Sequence, residues 1–205
     1  MDSYKTEQEE FWAGTFGNDY TKRNQGMNWV TSNAALFEKI FAQTKSVESM
    51  IEFGANIGLN LSAIRKLFPK IKLSAVEINE KAVSELEKLQ NIVIHQQSIL
   101  DFSEDFQWDL VLIKGVLIHI DPNSLPRVYE IMHKASARYI CLAEYYNPSP
   151  VEVNYRGYKG KLFKRDFAGE ILDKFNDIHL VDYGFVYHRD PFPQDDITWF
   201  LLEKK

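Results

Sequence analysis

The sequence predicts an α/β fold: a mostly parallel sheet with helices on both faces, ending in an antiparallel hairpin. Three observations carry that prediction. From Val47 onward, short aliphatic runs alternate with segments whose apolar residues recur at helical spacing. A glycine-bearing turn within "IEFGANIGLN" (Ile51 to Asn60) joins the first strand-like run to the first helix-like one. Near the end, "IHLVDYGFVYH" and "DITWFLLEK" read as two strands separated only by the turn-rich "RDPFPQDD".

Each element follows from its own residues. Residues 1–45 hold three helical pieces: an acidic start through Phe11 and Trp12, then "FGNDYTKRN", then "NWVTSNAALFEKIFAQT". In the last, Val30, Ala34, Phe37 and Phe41 share one helical face, which must pack on something larger. These residues are expected to cap a domain spanning 46–205. "VESMIEF" is the first strand, and Ile57, Leu61, Ile64 and Phe68 form the face of a helix that Pro69 ends. "IKLSAVEI" is the second strand, and Asn79 is placed to cap a helix over Glu80 to Leu89. "NIVIHQQ" is the third strand, "ILDFSEDF" a short connection and "WDLVLIKG" the fourth strand. Asp121, Pro122 and Ser124 start a helix running to about Ala135, and "RYICLAEY" is the fifth strand. "YNPSPVEVNYRGYKGKLFKR" then reads as a long loop before a helix near Asp166 to Phe175, and loops of that length in compact domains are usually functional or disordered.

With 205 residues, 45% of them apolar and 26% charged, the chain suits one well-buried domain. Lys and Arg number 24 against 29 Asp and Glu, and the net charge of -5 argues against broad nucleic-acid binding. Cys141 has no partner for an intrachain disulfide, so a reducing compartment and a buried thiol are expected. "MDSYKTEQEEFW" has no basic and apolar leader pattern, and no long apolar run occurs, which points to a cytoplasmic protein without membrane contact. His95, His133, His179 and His188 are scattered without ligand spacing, so no metal is inferred. Asp195 and Asp196 fall in a turn and are expected in solvent.

The glycine turn carries the chemistry. In a doubly wound sheet such a turn lays its backbone against a ligand. A dinucleotide fold needs a glycine in the middle of the turn so that the backbone can approach a pyrophosphate; here the order is Gly54-Ala55-Asn56-Ile57-Gly58. Asn56 counts against NAD or FAD. The Gly-Lys-Ser/Thr of a phosphate-binding P-loop is absent as well. At the end of "LSAVEIN", Glu77 stands where an acid can accept hydrogen bonds from both hydroxyls of a ribose.

These residues resemble class I S-adenosylmethionine-dependent methyltransferases. "IEFGANIGLN" is similar to their first motif, with Asn56 a departure from the commonest form. "HQQSILDF" resembles their adenine-lining segment, and "WDLVLIKGVLIHI" the fourth-strand motif beside the methyl group. The resemblance implies a Rossmann-like, seven-stranded fold with S-adenosyl-L-methionine as cofactor and S-adenosyl-L-homocysteine as product. It places Glu52, Gly54, Ala55, Asn56, Glu77, Ile78, Ser98, Ile99, Lys114 and Gly115 at the cofactor. A narrower resemblance links "FWAGTFGNDYTKRN", "KGVLIHI" and "NYRGYKGKLFKRDFAGE" to the pseudaminic acid biosynthesis-associated methylase family. It implies a sugar or sugar-linked acceptor; together with the basic run Tyr155 to Arg165, the expectation is O-methylation of a small anionic sugar-linked or phosphorylated intermediate of bacterial surface polysaccharide biosynthesis, capsule or nonulosonic acid.

Methyl transfer to a hydroxyl requires alignment, proton removal and exclusion of water. His119, after the fourth strand, is the general-base candidate; a structural histidine bonded to backbone is the competing reading. Asp19, Tyr20, Arg23 and Asn24 suit a lid, with Arg23 on the cofactor's carboxylate, Tyr20 over the sulfonium and Asp19 toward the acceptor. The alternative is a helical cap that only packs. Glu144, Tyr145 and Asn147 close the fifth strand at the acceptor side. Beyond them, Tyr155, Arg156, Lys161 and Arg165 belong to an acid-free basic and aromatic run, from Tyr155 to Arg165, that would attract an anion. A non-catalytic nucleotide-binding or scaffold module, an NAD-dependent reductase and a nucleic-acid methyltransferase are the other readings. The oligomeric state is not set by the sequence.

Overall fold

The computed structural model describes residues 4–23 and 26–205, so Asn24 of the expected lid lies outside the described residues. Three helices come first: α1 (Glu7–Ala13), α2 (Thr15–Arg23) and α3 (Met27–Phe41). Strand and helix then alternate through β1 (Ser49–Phe53), α4 (Leu59–Leu67), β2 (Lys72–Glu77), α5 (Glu80–Leu86) and β3 (Ile92–Gln96). β4 (Trp108–Lys114), α6 (Leu125–Ala135) and β5 (Ser136–Glu144) continue the pattern, with single 3-10 turns at Ile99–Asp101 and Leu117–His119. After β5 come a short ribbon of β6 (Val151–Glu152) and β7 (Phe163–Lys164), then α7 (Phe167–Lys174) and the final strands β8 (Ile178–Val186) and β9 (Ile197–Lys204).

Seven strands form one sheet in the order β3-β2-β1-β4-β5-β9-β8. The first five run parallel, and β9 lies antiparallel between β5 and β8. This is the predicted architecture. β1 is buried along its whole length, as a strand covered on both faces must be. On one face, α3, α4 and α5 supply Phe37, Ile40, Leu61, Ile64 and Leu86; on the other, α6 and α7 supply Val128, Met132, Phe167 and Ile171. Each such side chain contributes about 1.5–3 kcal/mol by leaving water. Val30, Phe37 and Phe41 of the expected stripe are all buried, and Phe41 stacks on Phe68 at 4.7 Å. Cys141 is buried in the same layer, and burial pushes its thiol up to about 12.

Two elements differ from expectation. The first helix of the alternating region starts at Leu59 rather than Ile57, because Asn56 (φ 48°) and Gly58 (φ 77°) are both left-handed and bend the chain into a turn. The segment 146–165 is no structureless loop. β6 and β7 pair antiparallel, and a two-residue turn at its tip is held by reciprocal Tyr155–Tyr158 backbone hydrogen bonds of 2.9 Å each. Among the described residues no helix is long and apolar enough to cross a membrane.

Candidate functional site

The carboxyl ends of β1, β2 and β4 open into a cavity, which is where a parallel sheet changes direction and leaves room for a ligand. Its floor is the glycine turn. Gly54 is left-handed (φ 73°), and a Cβ there would meet Val116 Cγ2 at 2.6 Å, so both backbone and packing demand glycine. Gly115 also lines the cavity with positive φ (65°), but a Cβ there would meet nothing within 4 Å. The turn's amides are already committed: Gly54 and Ala55 donate to the Val76 carbonyl, Gly58 to that of Ala55, and Asn56 to Glu77 Oε2 at 2.7 Å. These four are therefore not free to cradle a pyrophosphate. Asn56 adopts the left-handed turn that a second glycine would otherwise supply.

Three carboxyl groups sit at strand ends. Glu77 accepts from the amides of Asn56 and of Asn79, the latter at 2.8 Å; burial raises its pKa while those bonds oppose the rise. Glu52, 1% exposed, takes a 2.5 Å bond from Asn60 Nδ2 on Oε1, while Oε2 has no partner. Burial pushes Glu52 up to about 8, with Asn60 and Lys114 pulling the other way. Glu144 Oε1 accepts from the Val116 and Leu117 amides at 3.0 Å each, and burial lifts it to about 7. Lys114 is displaced downward by burial, against the carboxyls of Glu52, Asp195 and Glu144.

His119 follows from the turn that Glu144 fixes. Its Nδ1 lies 2.5 Å from the Lys161 carbonyl, which can only accept, so Nδ1 carries the proton and Nε2 keeps its lone pair. Burial pushes the ring down to about 4, hence neutral at ordinary pH. The structural and catalytic readings of this residue therefore coexist: the backbone bond selects the tautomer. Trp12 packs on the ring at 4.6 Å, Tyr155 at 4.9 Å, and Tyr20 meets Trp12 edge-on at 5.2 Å.

α1 and α2 cover the cavity and are tied down from both sides. Glu9, buried, accepts from Ser98 Oγ and from the Thr6 amide, completing a capping box with Thr6. Asn79 caps α5 through Oδ1, as expected, while its Nδ2 donates to the carbonyls of Trp12 and Ala13 and to Asn18 Oδ1. Gln8 Nε2 donates to the Gly160 carbonyl of the ribbon at 2.9 Å. Several buried polar atoms around this space lack a protein partner: Trp12 Nε1, Asn56 Oδ1, Asn60 Oδ1 and Gln194 Oε1 on lining residues, with Glu52 Oε2 and Glu144 Oε2 on adjoining ones. Leaving such atoms unpaired costs about 1–3 kcal/mol each, so a polar ligand would recover that energy.

No protein-family model matches the chain, and no curated protein does either. Solved structures do. The plantazolicin methyltransferase BpumL in complex with SAH aligns with TM-score 0.69 at 15% identity, over 97% of this chain and 94% of that one. Magnesium protoporphyrin IX methyltransferase ChlM from Synechocystis PCC 6803 with bound SAH gives TM-score 0.69 at 13% identity, over 96% and 98%. SAM-bound CalS10, an amino pentose methyltransferase from Micromonospora echinaspora involved in calicheamicin biosynthesis, gives 0.65 at 11%, over 100% and 99%. The fold is the class I methyltransferase fold. In that fold, the cavity lies at the carboxyl edge of the parallel strands.

Most of the expected cofactor residues meet there: Tyr20, Gly54, Ala55, Asn56, Glu77, Ile78, Ser98, Ile99, Lys114 and Gly115 all line the cavity, as does His119. Glu52 lies just behind it, hydrogen-bonded to the lining residue Asn60. Arg23 does not line the cavity, its guanidinium resting 5.3 Å from the Phe16 ring centroid. The expected acceptor residues stand outside the wall. Asp19 pairs with Lys22, Asn147 donates to the Ser149 carbonyl, Lys161 pairs with Glu7 and Arg165 with Glu170. Tyr145 lies under Lys164, while Tyr155 braces Arg156 and reaches the site only through His119 and Trp12. Sequence reasoning missed Trp12, Asn33, Asn60 and Gln194 as lining residues; Asp195 is exposed, as expected, and also touches the cavity's rim. Gln194 is 2% exposed and donates to Asn33 Oδ1 at 3.0 Å, joining the β8–β9 turn to α3. No local motif announces a contact across that sequence distance. Asp196, next in the chain, bonds His188 instead.

Proposed function

We propose that the protein is an S-adenosylmethionine-dependent methyltransferase acting on an oxygen of a small, sugar-linked anionic acceptor of bacterial surface polysaccharide biosynthesis, in the cytoplasm. The observation that carries the reading is a cavity at the strand ends that holds Glu77 and whose glycine turn has spent the Gly54, Ala55, Asn56 and Gly58 amides internally. Such a site suits an uncharged ribose and an amino-acid tail better than a pyrophosphate.

The residues fit the cofactor by chemistry. Glu77 retains lone pairs for two ribose hydroxyls, and Ser98 and Ile99 stand beside it for the base. Asn56, Asn60 and Glu52 offer unfilled acceptor atoms to an ammonium group. The open space over Gly115 leaves room for the ligand. When bound, the sulfonium supplies the activated methyl group. Trp12 and Tyr20 then exclude water and present ring faces to positive charge. His119 Nε2 accepts the acceptor hydroxyl's proton, and Glu144 keeps the preceding turn in place. Lys114, beside these carboxyls, balances their charge. α1 and α2 serve as the lid.

The sugar-linked acceptor rests on the motif resemblance of the lid, the fourth-strand segment and the ribbon. The test is methyl transfer to a panel of nucleotide sugars, phosphorylated sugars and polysaccharide precursors, followed by product mass. Gain of one methyl group on a sugar oxygen is expected; transfer only to polynucleotide, or turnover of NAD instead, would overturn the assignment.

A further inference from the structure

The ribbon tip carries an arginine where stereochemistry favours another residue. Arg156 (φ 53°) and Gly157 (φ 90°) are the two central residues of the tight turn between Tyr155 and Tyr158, both left-handed. That turn type favours Asn-Gly or Asp-Gly, because a long side chain at positive φ is strained. The chain places an exposed guanidinium there, 5.9 Å from the Tyr155 ring. Arg23, at the last turn of α2, is mounted likewise over Phe16, and the Phe16 and Tyr155 rings are 5.8 Å apart. Neither arginine makes an ion pair among the described residues, whereas Lys161 and Arg165 of the same basic run do. The two rings that carry the arginines pack on Trp12 of the cavity wall, Phe16 at 5.4 Å and Tyr155 at 6.4 Å between ring centroids.

The cavity is a poor place for a second anion beside the cofactor's own carboxylate, since Glu9, Glu77 and Asp195 face Lys114 alone across its described lining. A negatively charged part of the acceptor must therefore be held outside. We propose that Arg23 and Arg156 form a clamp at the mouth for a phosphoryl group of the acceptor, so that the substrate is a phosphorylated or nucleotide-linked sugar whose sugar enters and whose phosphate stays on the paired rings. This deepens the functional reading above and takes Arg23 from the cofactor to the acceptor. Guanidinium groups bind phosphoryl oxygens bidentately, and the aromatic rings beneath restrict their motion.

Calorimetry with inorganic pyrophosphate as probe, and in parallel with S-adenosyl-L-homocysteine, separates the two claims. Full-length protein is expected to bind pyrophosphate, and Arg23→Gln and Arg156→Asn each to weaken it about tenfold or more, the loss of one charge-assisted pair. Asn fits the left-handed turn better than Arg, so Arg156→Asn should keep or raise the melting temperature while losing the anion; this excludes unfolding as the cause. Lys134→Ala, at the far end of α6, should bind as wild type. Wild-type binding that survives both substitutions, or no pyrophosphate binding at all beside normal S-adenosyl-L-homocysteine binding, would overturn the clamp while leaving the methyltransferase reading intact. Absence of S-adenosyl-L-homocysteine binding would strike that reading instead, whatever pyrophosphate does.

Discussion

At the scale of single residues, the site combines burial with fixed protein contacts that set protonation. His119 illustrates it: the Lys161 carbonyl fixes the proton on Nδ1, and burial lowers the ring to about 4. The imidazole is thus neutral through the physiological range and does not switch there. Its turnover profile should show no inflection near the ordinary histidine value of about 6.5. His119→Ala should lower turnover by about a hundredfold or more, with cofactor binding little changed, as expected for removal of a general base. Steady-state rates between pH 5.5 and 7.5 check both points; an inflection near neutrality that disappears in the variant would contradict the assigned tautomer and burial. The sequence marked this residue by its position after β4 but gave no sign of the carbonyl that orients it, because that carbonyl lies in the ribbon, 42 residues along.

At the scale of elements, Asn79 couples α1 and α2 to the sheet. Its Oδ1 caps α5 through the Ala82 amide, and its Nδ2 holds the carbonyls ending α1. Asn79→Asp keeps the capping oxygen and loses the donor, so it should retain most of the cap, worth about 1 kcal/mol, while loosening α1 and α2. Hydrogen exchange should quicken in Glu7–Ala13 and Thr15–Arg23 and stay slow in Glu80–Leu86. Unchanged exchange in α1 and α2 would mean that Asn79 acts only as a cap. The cap itself was legible in the sequence, since it is a local pattern; the second half of its bonding reaches back to α1 and leaves no local trace. The same distinction explains the ribbon at 146–165. Its pairing of Val151 with Lys164 and Glu152 with Phe163 is too short to show alternation. The long parallel strands, by contrast, are written in continuous apolar runs.

At the scale of the whole molecule, the open sheet buries several carboxyls at its strand ends, and burial raises their pKa values. Glu52 sits at about 8 and Glu144 at about 7, both above the ordinary 4.5, and Glu77 is raised too. Their contribution to folding is fully present below pH 4.5 and is lost as pH rises through those folded values. His119 acts in the opposite sense, contributing fully above 6.5 and losing that contribution as pH falls toward 4; Lys114, displaced downward from 10.5, acts from the alkaline side. Between pH 6.5 and 8 the carboxyls should dominate, so the ligand-free protein should lose thermal stability across that interval, and Glu52→Gln should flatten the slope. Thermal melts at several pH values check this, and an equal slope in the variant would contradict it. The fold and the glycine-turn face of the cavity were legible because local spacing encodes them: strand, glycine turn, helix, strand-end acid. The roof of Trp12, Asn33 and Gln194 was not, since those residues meet only after α1, α3 and the β8–β9 turn have folded onto the sheet. The central claim is that this cavity takes an adenosyl amino acid, and titration calorimetry with S-adenosyl-L-homocysteine and NAD on wild type and Glu77→Ala tests it most directly. One S-adenosyl-L-homocysteine per chain, weakened about tenfold or more by the substitution, with no heat from NAD, is the predicted result; NAD binding in its place, or affinity indifferent to Glu77, would contradict the account.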